Sequence, residues 1–336
     1  MTEPLRVGIV GTGDIAESVH LPAYDANPAT RVVGLAEIDP DRRRRVAEQY
    51  DVRGQYENHG SLFEEANLDV VSICSPPFTH EEIFTDAAER GIHILCEKPV
   101  STSLASARRM QAAAESAGIV TQMGHALRYM GNYRRSRQML QNGLLGDVSQ
   151  ATTVYHSSPP PAGWYYDADL SGGGVVVDKF PHVLDFYIGL FGKGSVSVES
   201  AELRYARTNA VEDIAEVTLD VGGTDVDISA GWTHQRWNVR TTVVGVEGML
   251  EFNDETLEGT VQGEWVYFKR GQRPLIQLGP LFQTWLRPSE TPHTDRIDDF
   301  VAHVRRGDYE TLSPIERGVE VTRIIDDIYQ TGGVSR

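Results

Sequence analysis

The sequence predicts two domains of different class: an α/β domain on a doubly wound parallel sheet, then an α+β domain on a large, mostly antiparallel sheet with one open face. Three observations predict it. A glycine turn follows a β-type run near residue 10. Strand and helix patterns then alternate as far as residue 123. From residue 195 onward, short alternating runs broken by glycine take over. With 336 residues, each domain can bury its own core.

In the first domain, Val7, Ile9 and Val10 form a short strand. Gly11-Thr12-Gly13-Asp14-Ile15-Ala16 then matches the GxGxxA form of the dinucleotide-binding fingerprint. Gly11 permits the tight turn, Gly13 lets the backbone approach a pyrophosphate, and the small Ala16 lets helix pack on strand. The helix that follows turns its free N–H groups and positive dipole end toward the phosphates. Residues 31–36 form the next strand, and Glu37 comes 24 residues after Gly13, where a ribose-binding carboxylate is expected. Four arginines, 42–45, open the next helix. They form a solvated face, or Arg42 or Arg43 grips a 2′-phosphate. Glu37 would repel that phosphate, so NAD is expected, with NADP possible.

Residues 61–66 read as a helix and 69–74 as a buried strand, stopped by Ser75-Pro76-Pro77. In a parallel sheet this stop lies at the carboxyl edge, where cofactors bind. His80 opens the next helix, 81–90, either as a surface cap or as a cofactor contact. Strand 92–96 runs into Glu97-Lys98-Pro99, which puts a charged pair on the same edge. Helix 103–117 and strand 119–123 complete the βαβ series, an NAD(P)-binding Rossmann domain over residues 1–125.

The second domain, 126–336, starts beyond His125 with Arg128 and Tyr129 and a helix over 132–142. A strand over 148–156, a proline loop, the aromatic run from Trp164 and a triple glycine at 172–174 come next. Residues 174–190 have helical, amphipathic spacing, and Asp178, His182 and Asp185 recur at i, i+4 and i+7 on one face. Runs at 196–202, 214–221, 225–232, 238–244, 249–252 and 264–268 predict the sheet. Trp232, Trp237 and Trp265 mark its free face as an oligomer interface. His234, Arg236 and Trp237 serve as substrate contacts or as edge-strand surface. Helices over 294–305 and 314–330 are expected to return and brace the first domain.

Composition excludes several function classes. A net charge of −17 argues against a nucleic-acid partner, which needs a basic surface. No run is long and apolar enough to span a bilayer, and no leader peptide is expected before the first strand. Cys74 and Cys96 sit in apolar runs rather than in a CxxC, so they read as small buried hydrophobes in a reducing cytoplasm. The absence of clustered Cys and His spacing points to no metal. Lysine occurs only at 98, 179, 193 and 269, which draws attention to Lys98 and Lys179 in motif positions.

Together these parts make a metal-free alcohol dehydrogenase site. A carbinol that gives hydride to a nicotinamide must also lose its hydroxyl proton, and the developing alkoxide needs a positive neighbour. His182 is the expected proton acceptor, Asp178 orients it or the hydroxyl, and Lys98 polarises the oxygen. The segments GTGDIA at 11–16, CSPPFTH at 74–80, CEKP at 96–99, GHALRY at 124–129 and GGGVVVDKFPHVLD at 172–185 resemble the Gfo/Idh/MocA oxidoreductases, the glucose-fructose oxidoreductase and inositol dehydrogenase family. The resemblance implies a two-domain subunit, NAD(P)-dependent chemistry on a sugar, polyol or related carbonyl compound, and dimers or tetramers built on the second sheet. It implies catalytic roles for Lys98, Asp178 and His182. It also places His125, Arg128, Tyr129 and Trp164 along the nicotinamide or substrate pocket. Lys179 reaches the substrate or points away as a surface lysine. Two other functions fit the same fold: a glycosidase or epimerase that retains its NAD, and a non-catalytic sensor.

Overall fold

The structure, a computed structural model, describes residues 3–191, 196–207, 210–233, 238–270 and 292–334. Lys193, His234, Arg236 and Trp237 lie outside these residues. The chain divides into two compact units. One holds Met1–His125, Asp169–Gly172 and His293–Thr322; the other holds Ala126–Ala168, Gly173–Pro292 and Arg323–Arg336.

The first unit is built on six strands: β1 (Leu5–Val10), β2 (Thr30–Ala36), β3 (Gly54–Tyr56), β4 (Val70–Ile73), β5 (His93–Cys96) and β6 (Thr121–Met123). All neighbours pair in parallel, in the order β3-β2-β1-β4-β5-β6. The order reverses at β1, so ligands of this architecture meet the sheet at the carboxyl end of β1. The first crossover is a π-type turn, Ala16–His20, running into α1 (Leu21–Ala26). The others use α2 (Pro40–Gln49), α3 (His59–Glu65), α4 (His80–Glu89) and α5 (Leu104–Ala117). Asp39 caps α2 by accepting from the Asp41 and Arg42 amides, and Ser103 caps α5 through the Ser106 amide. Apolar cores cover both faces of the sheet. One gathers Ile73, Ile94, Phe84 and Met110, the other Val7, Ile9, Leu35 and Tyr24. The second core also takes in Ile297, Phe300 and Val301 from α9 (Pro292–Arg306).

In the second unit eight strands pair in the order β14-β13-β12-β11-β7-β10-β9-β8. These are β7 (Val148–His156), β8 (Val196–Arg204), β9 (Ile214–Val221), β10 (Thr224–Gly231), β11 (Asn238–Gly245), β12 (Gly248–Asn253), β13 (Thr256–Val261) and β14 (Glu264–Lys269). Among the described residues of this sheet only β7 and β10 pair in parallel. The alternation along each strand puts Val217, Leu219, Val226, Ile228, Val243, Leu250 and Phe252 on the buried face. They share the interior with α6 (Gly131–Gln141) and, after the short α7 (Ala168–Ser171), α8 (Val175–Phe191), whose Tyr133, Phe180, Leu184, Phe186 and Tyr187 are buried. Each such side chain contributes about 1.5–3 kcal/mol on full burial. The opposite face is open at Val154, Met249 and Trp265. Trp232, expected on that face, is instead 1% exposed, inside the unit. Among the described residues no helix is long and apolar enough to cross a membrane.

Candidate active site

The glycine turn has the shape a nucleotide needs. Gly11 sits at φ +83°, and a Cβ there would come within 2.7 Å of the Ser75 amide nitrogen, so only glycine fits between β1 and the loop after β4. A Cβ on Gly13 would meet nothing within 4 Å: the backbone is bare toward open space, as a pyrophosphate requires. Asp14 is exposed, Ile15 half-buried and Ala16 buried against the strands. Glu37 ends β2 with its carboxylate folded onto the turn, where Oε2 accepts from the Thr12 amide at 2.9 Å and the Thr12 hydroxyl at 3.0 Å. Its Oε1 takes the Asp39 amide, and Arg42 Nη1 lies 3.6 Å from Oε2. Arg42 is thus directed at Glu37 rather than only at solvent. The residues fit an NAD-type dinucleotide: Gly11, Gly13 and the following amides would hold its phosphates and Glu37 its ribose.

The carboxyl edge corrects two expectations. His80 is not a surface cap. It is 1% exposed, with Nε2 2.8 Å from the Ser75 carbonyl and Nδ1 3.1 Å from the Pro99 carbonyl, so it fastens the loop after β4 to the loop after β5. Burial pushes its pKa down against those backbone bonds. Ser75 bonds Thr79 through its hydroxyl, Pro76 is partly exposed and Pro77 buried. Glu97, expected to meet the cofactor, turns inward. Its Oε1 lies 2.7 Å from Arg296 of α9 and 2.9 Å from His20 Nε2, and Oε2 accepts the Lys98 amide at 3.2 Å. Behind His20, Ser72 contacts Nδ1 and Tyr24 contacts Ser72. Burial raises the Glu97 carboxyl, but the Arg296 charge and the His20 bond outweigh it and hold the group well below the usual carboxylate range. Burial drives His20 toward its neutral form. Lys98, next in the chain, is half-buried. His125 is 1% exposed with Nδ1 2.8 Å from the Ser313 hydroxyl, a fastening inside the unit rather than an open pocket wall. Cys74 and Cys96 are free, buried thiols pushed well up by burial.

In the second unit α8 carries the other candidates. Asp178 and His182 lie one turn apart and are half-buried. Asp178 Oδ2 accepts from Lys179 Nζ at 3.0 Å and from Trp232 Nε1 at 3.0 Å. Lys179 also sits over the Tyr155 ring, 5.2 Å from its centroid, so it is not a helix-surface lysine. His182 Nδ1 accepts the Ala126 amide at 3.2 Å. Asp185, the third member of the polar face, is fully buried and pairs with Arg128 Nη1 at 3.3 Å. The Arg128 guanidinium packs so closely on Gly189 that a Cβ there would lie 2.7 Å from Cζ. Arg128 therefore braces α8, and Tyr129 beside it is 4% exposed. Trp164 is half-buried and stacks on Tyr165.

Sequence reasoning missed several of these partners. His20 and Arg296 lie in no motif, Thr12 and Ala126 fill unassigned positions within the quoted segments, and Trp232 reads as an open-face residue; each acts through a residue distant in the chain. Among the described residues no group of His, Cys, Asp or Glu is placed to hold a metal ion.

Residues 5–125 match the oxidoreductase family model with the NAD-binding Rossmann fold, and residues 133–251 match the GFO/IDH/MocA C-terminal domain. The chain is 29% identical over 202 residues to D-glucoside 3-dehydrogenase of Escherichia coli strain K12, across 60% of this chain and 58% of that protein. It thus spans less than two thirds of that relative. It is 27% identical over 320 residues to myo-inositol 2-dehydrogenase of Thermotoga maritima, across 92% of this chain and 91% of that one. The fold matches levoglucosan dehydrogenase, solved with NADH and levoglucosan, at a TM-score of 0.86 and 20% identity over 98% of each chain. Both halves of the sequence and both sheets therefore agree, and the chain belongs to the Gfo/Idh/MocA oxidoreductase family.

Proposed function

We propose that the protein is an NAD(P)-dependent dehydrogenase or reductase acting on a CH–OH or carbonyl carbon of a sugar, an inositol-like polyol or a related compound. The observation that carries it is the Asp178–His182 pair on α8, in a chain whose first domain belongs to the NAD-binding Rossmann family. The names of two relatives, a glucoside dehydrogenase and an inositol dehydrogenase, support the substrate class. Glu37 favours NAD, because its carboxylate would repel a 2′-phosphate. When bound, the nicotinamide supplies the hydride acceptor or donor. The chain's own residues handle the oxygen: Lys98, Asp178 and His182 exchange its proton and offset the charge that develops as the proton leaves. Lys179 and Trp232 hold the Asp178 carboxylate in place. We further propose a cytoplasmic homodimer or homotetramer with no nucleic-acid or membrane partner.

The test is a screen of inositols, aldoses and sugar acids with NAD and NADP, read by NADH or NADPH absorbance. One polyol or sugar should be turned over. Lys98→Ala should then lower kcat by about 10²–10⁴-fold while the Kd for NAD stays within a few-fold. Turnover that persists in Lys98→Ala removes Lys98 from the mechanism. No turnover with any compound, in a protein that still binds NAD, moves the assignment to a retained-NAD enzyme or a sensor.

A further inference from the structure

We infer that Glu212 and Asp213 are positioning residues for the Asp178 carboxylate: Glu212 holds the helix turn that carries Asp178, and Asp213 holds the backbone of Trp232, whose indole donates to it. This assignment rests on the proposed oxidoreductase reaction, in which Asp178 meets the substrate oxygen. Within the second unit, the bond from Trp232 Nε1 to Asp178 Oδ2, at 3.0 Å, joins the start of α8 to the residue that follows β10. Such a bond is only as well defined as the spacing of the two backbones that carry it. A shift of about 0.5 Å between them is enough to spoil a site's geometry.

Glu212 takes the helix end. Its carbonyl accepts the Val175 amide at 2.9 Å, and its carboxylate accepts the amides on either side, Gly174 at 2.9 Å and Val176 at 3.0 Å. Three successive amides are thereby fixed on one residue, and the Asp178 amide closes the same turn on the Gly174 carbonyl at 3.1 Å. Asp213 takes the strand end, where its carbonyl accepts the Trp232 amide at 2.9 Å. Its carboxylate accepts the Ala206 and Arg207 amides at 2.8 and 2.6 Å, and its own amide donates to the Arg204 carbonyl, so Asp213 is anchored in turn to the segment at the end of β8. Both residues are 1% exposed, and one peptide unit, about 3.8 Å between Cα atoms, separates them. A single covalent link therefore sets the distance between the backbones of Asp178 and Trp232. Two adjacent buried carboxylates are a costly way to build a core. Here they direct their acceptors at the backbones that meet at Asp178, with the Tyr329 hydroxyl donating to Glu212 at 2.7 Å.

The Trp232 indole gives the readout. In the full chain labelled with ¹⁵N-tryptophan, its Nε1–H signal is assigned by difference from Trp232→Phe, and Asp178→Ala marks its position without the carboxylate bond. Glu212→Gln and Asp213→Asn keep the side-chain shape but turn one acceptor oxygen into a donor that faces a backbone N–H. Each should move the indole signal at least halfway to the Asp178→Ala position while the protein keeps a cooperative thermal transition. Should one variant fail to fold, the other decides; a signal that stays at the wild-type position in a folded variant overturns the inference. This arm needs no substrate, so it stands apart from the outcome of the sugar and polyol screen. With a substrate in hand, Asp213→Asn should lower kcat by about tenfold and leave the Kd for NAD within a few-fold. In a Trp232→Phe background the same change should cost less than about twofold, because the group it positions is gone. An equal loss in both backgrounds would make Asp213 a general support of the fold and sink the inference.

Discussion

Glu97 and Lys98 are adjacent letters that the fold sends to different tasks. A carboxylate cannot be buried alone without a cost of several kcal/mol, and Glu97 is 6% exposed. Arg296, fully buried itself, and His20 supply the compensation. Arg296→Met leaves the buried Glu97 carboxylate without its guanidinium partner and is expected to destabilise the protein by about 3–5 kcal/mol in urea unfolding; a loss below about 1 kcal/mol would show that the pair is dispensable. The pH dependence follows from the directions of the shifts. Glu97 is held below its unfolded value, so its stabilisation is present above about 4.3 and is lost as pH falls toward the folded value. His20, His80 and His93 are each pushed down by burial, so stability already declines as pH drops below about 6.5. Glu97→Gln should leave the decline near pH 6.5 in place and flatten the loss below about 4.3. An unchanged acid limb there would show that Glu97 is not the group titrating. The glycine fingerprint and Glu37 were legible because their chemistry lies within one βαβ unit. Arg296 was not, because it meets Glu97 from 199 positions away.

At the scale of elements, the triple glycine before α8 has a packing cause. A Cβ on Gly174 would lie 1.9 Å from the Glu212 carbonyl oxygen, and one on Gly173, at φ +140°, 2.0 Å from the Tyr329 hydroxyl. α8 starts without a local Ser, Thr or Asp cap. The Glu212 carboxylate takes that place from a distant segment, with Tyr329 of α10 (Ile315–Thr331) donating to it at 2.7 Å. Burial pushes the Glu212 carboxyl up against the bonds from Tyr329 and the two amides. Gly174→Ala is expected to cost about 3 kcal/mol or more and to lower turnover, since the same turn carries Asp178. A melting temperature within a degree or so of wild type would contradict the contact. Two strands escaped the sequence pattern. β3 is three residues at an edge, too short to alternate, and β13 carries Gly259 at its centre, which reads as a break between strands.

For the whole molecule, the open face of the second sheet exposes Val154, Met249 and Trp265 together. Trp265, Thr260, Met249 and Val244 form a cross-strand row, with Trp265 54% and Met249 45% exposed. Such a face on a chain of net charge −17 fits a self-complementary interface, and we propose that copies of the chain assemble through it. Trp265→Glu combined with Met249→Glu should lower the mass seen by light scattering to that of a monomer. An oligomer that survives the double change uses another surface. By itself the sequence determined the order of elements, the class of each sheet, the dinucleotide fingerprint and the Asp178–His182 spacing, because each depends on residues close together in the chain. Only the tertiary structure decided that Glu97 faces Arg296, that Trp232 serves Asp178, that Arg128 braces α8 and that the Ala126 amide meets His182. Those contacts join atoms 54 to 199 positions apart, and burial and hydrogen-bond direction, not residue type, set their roles.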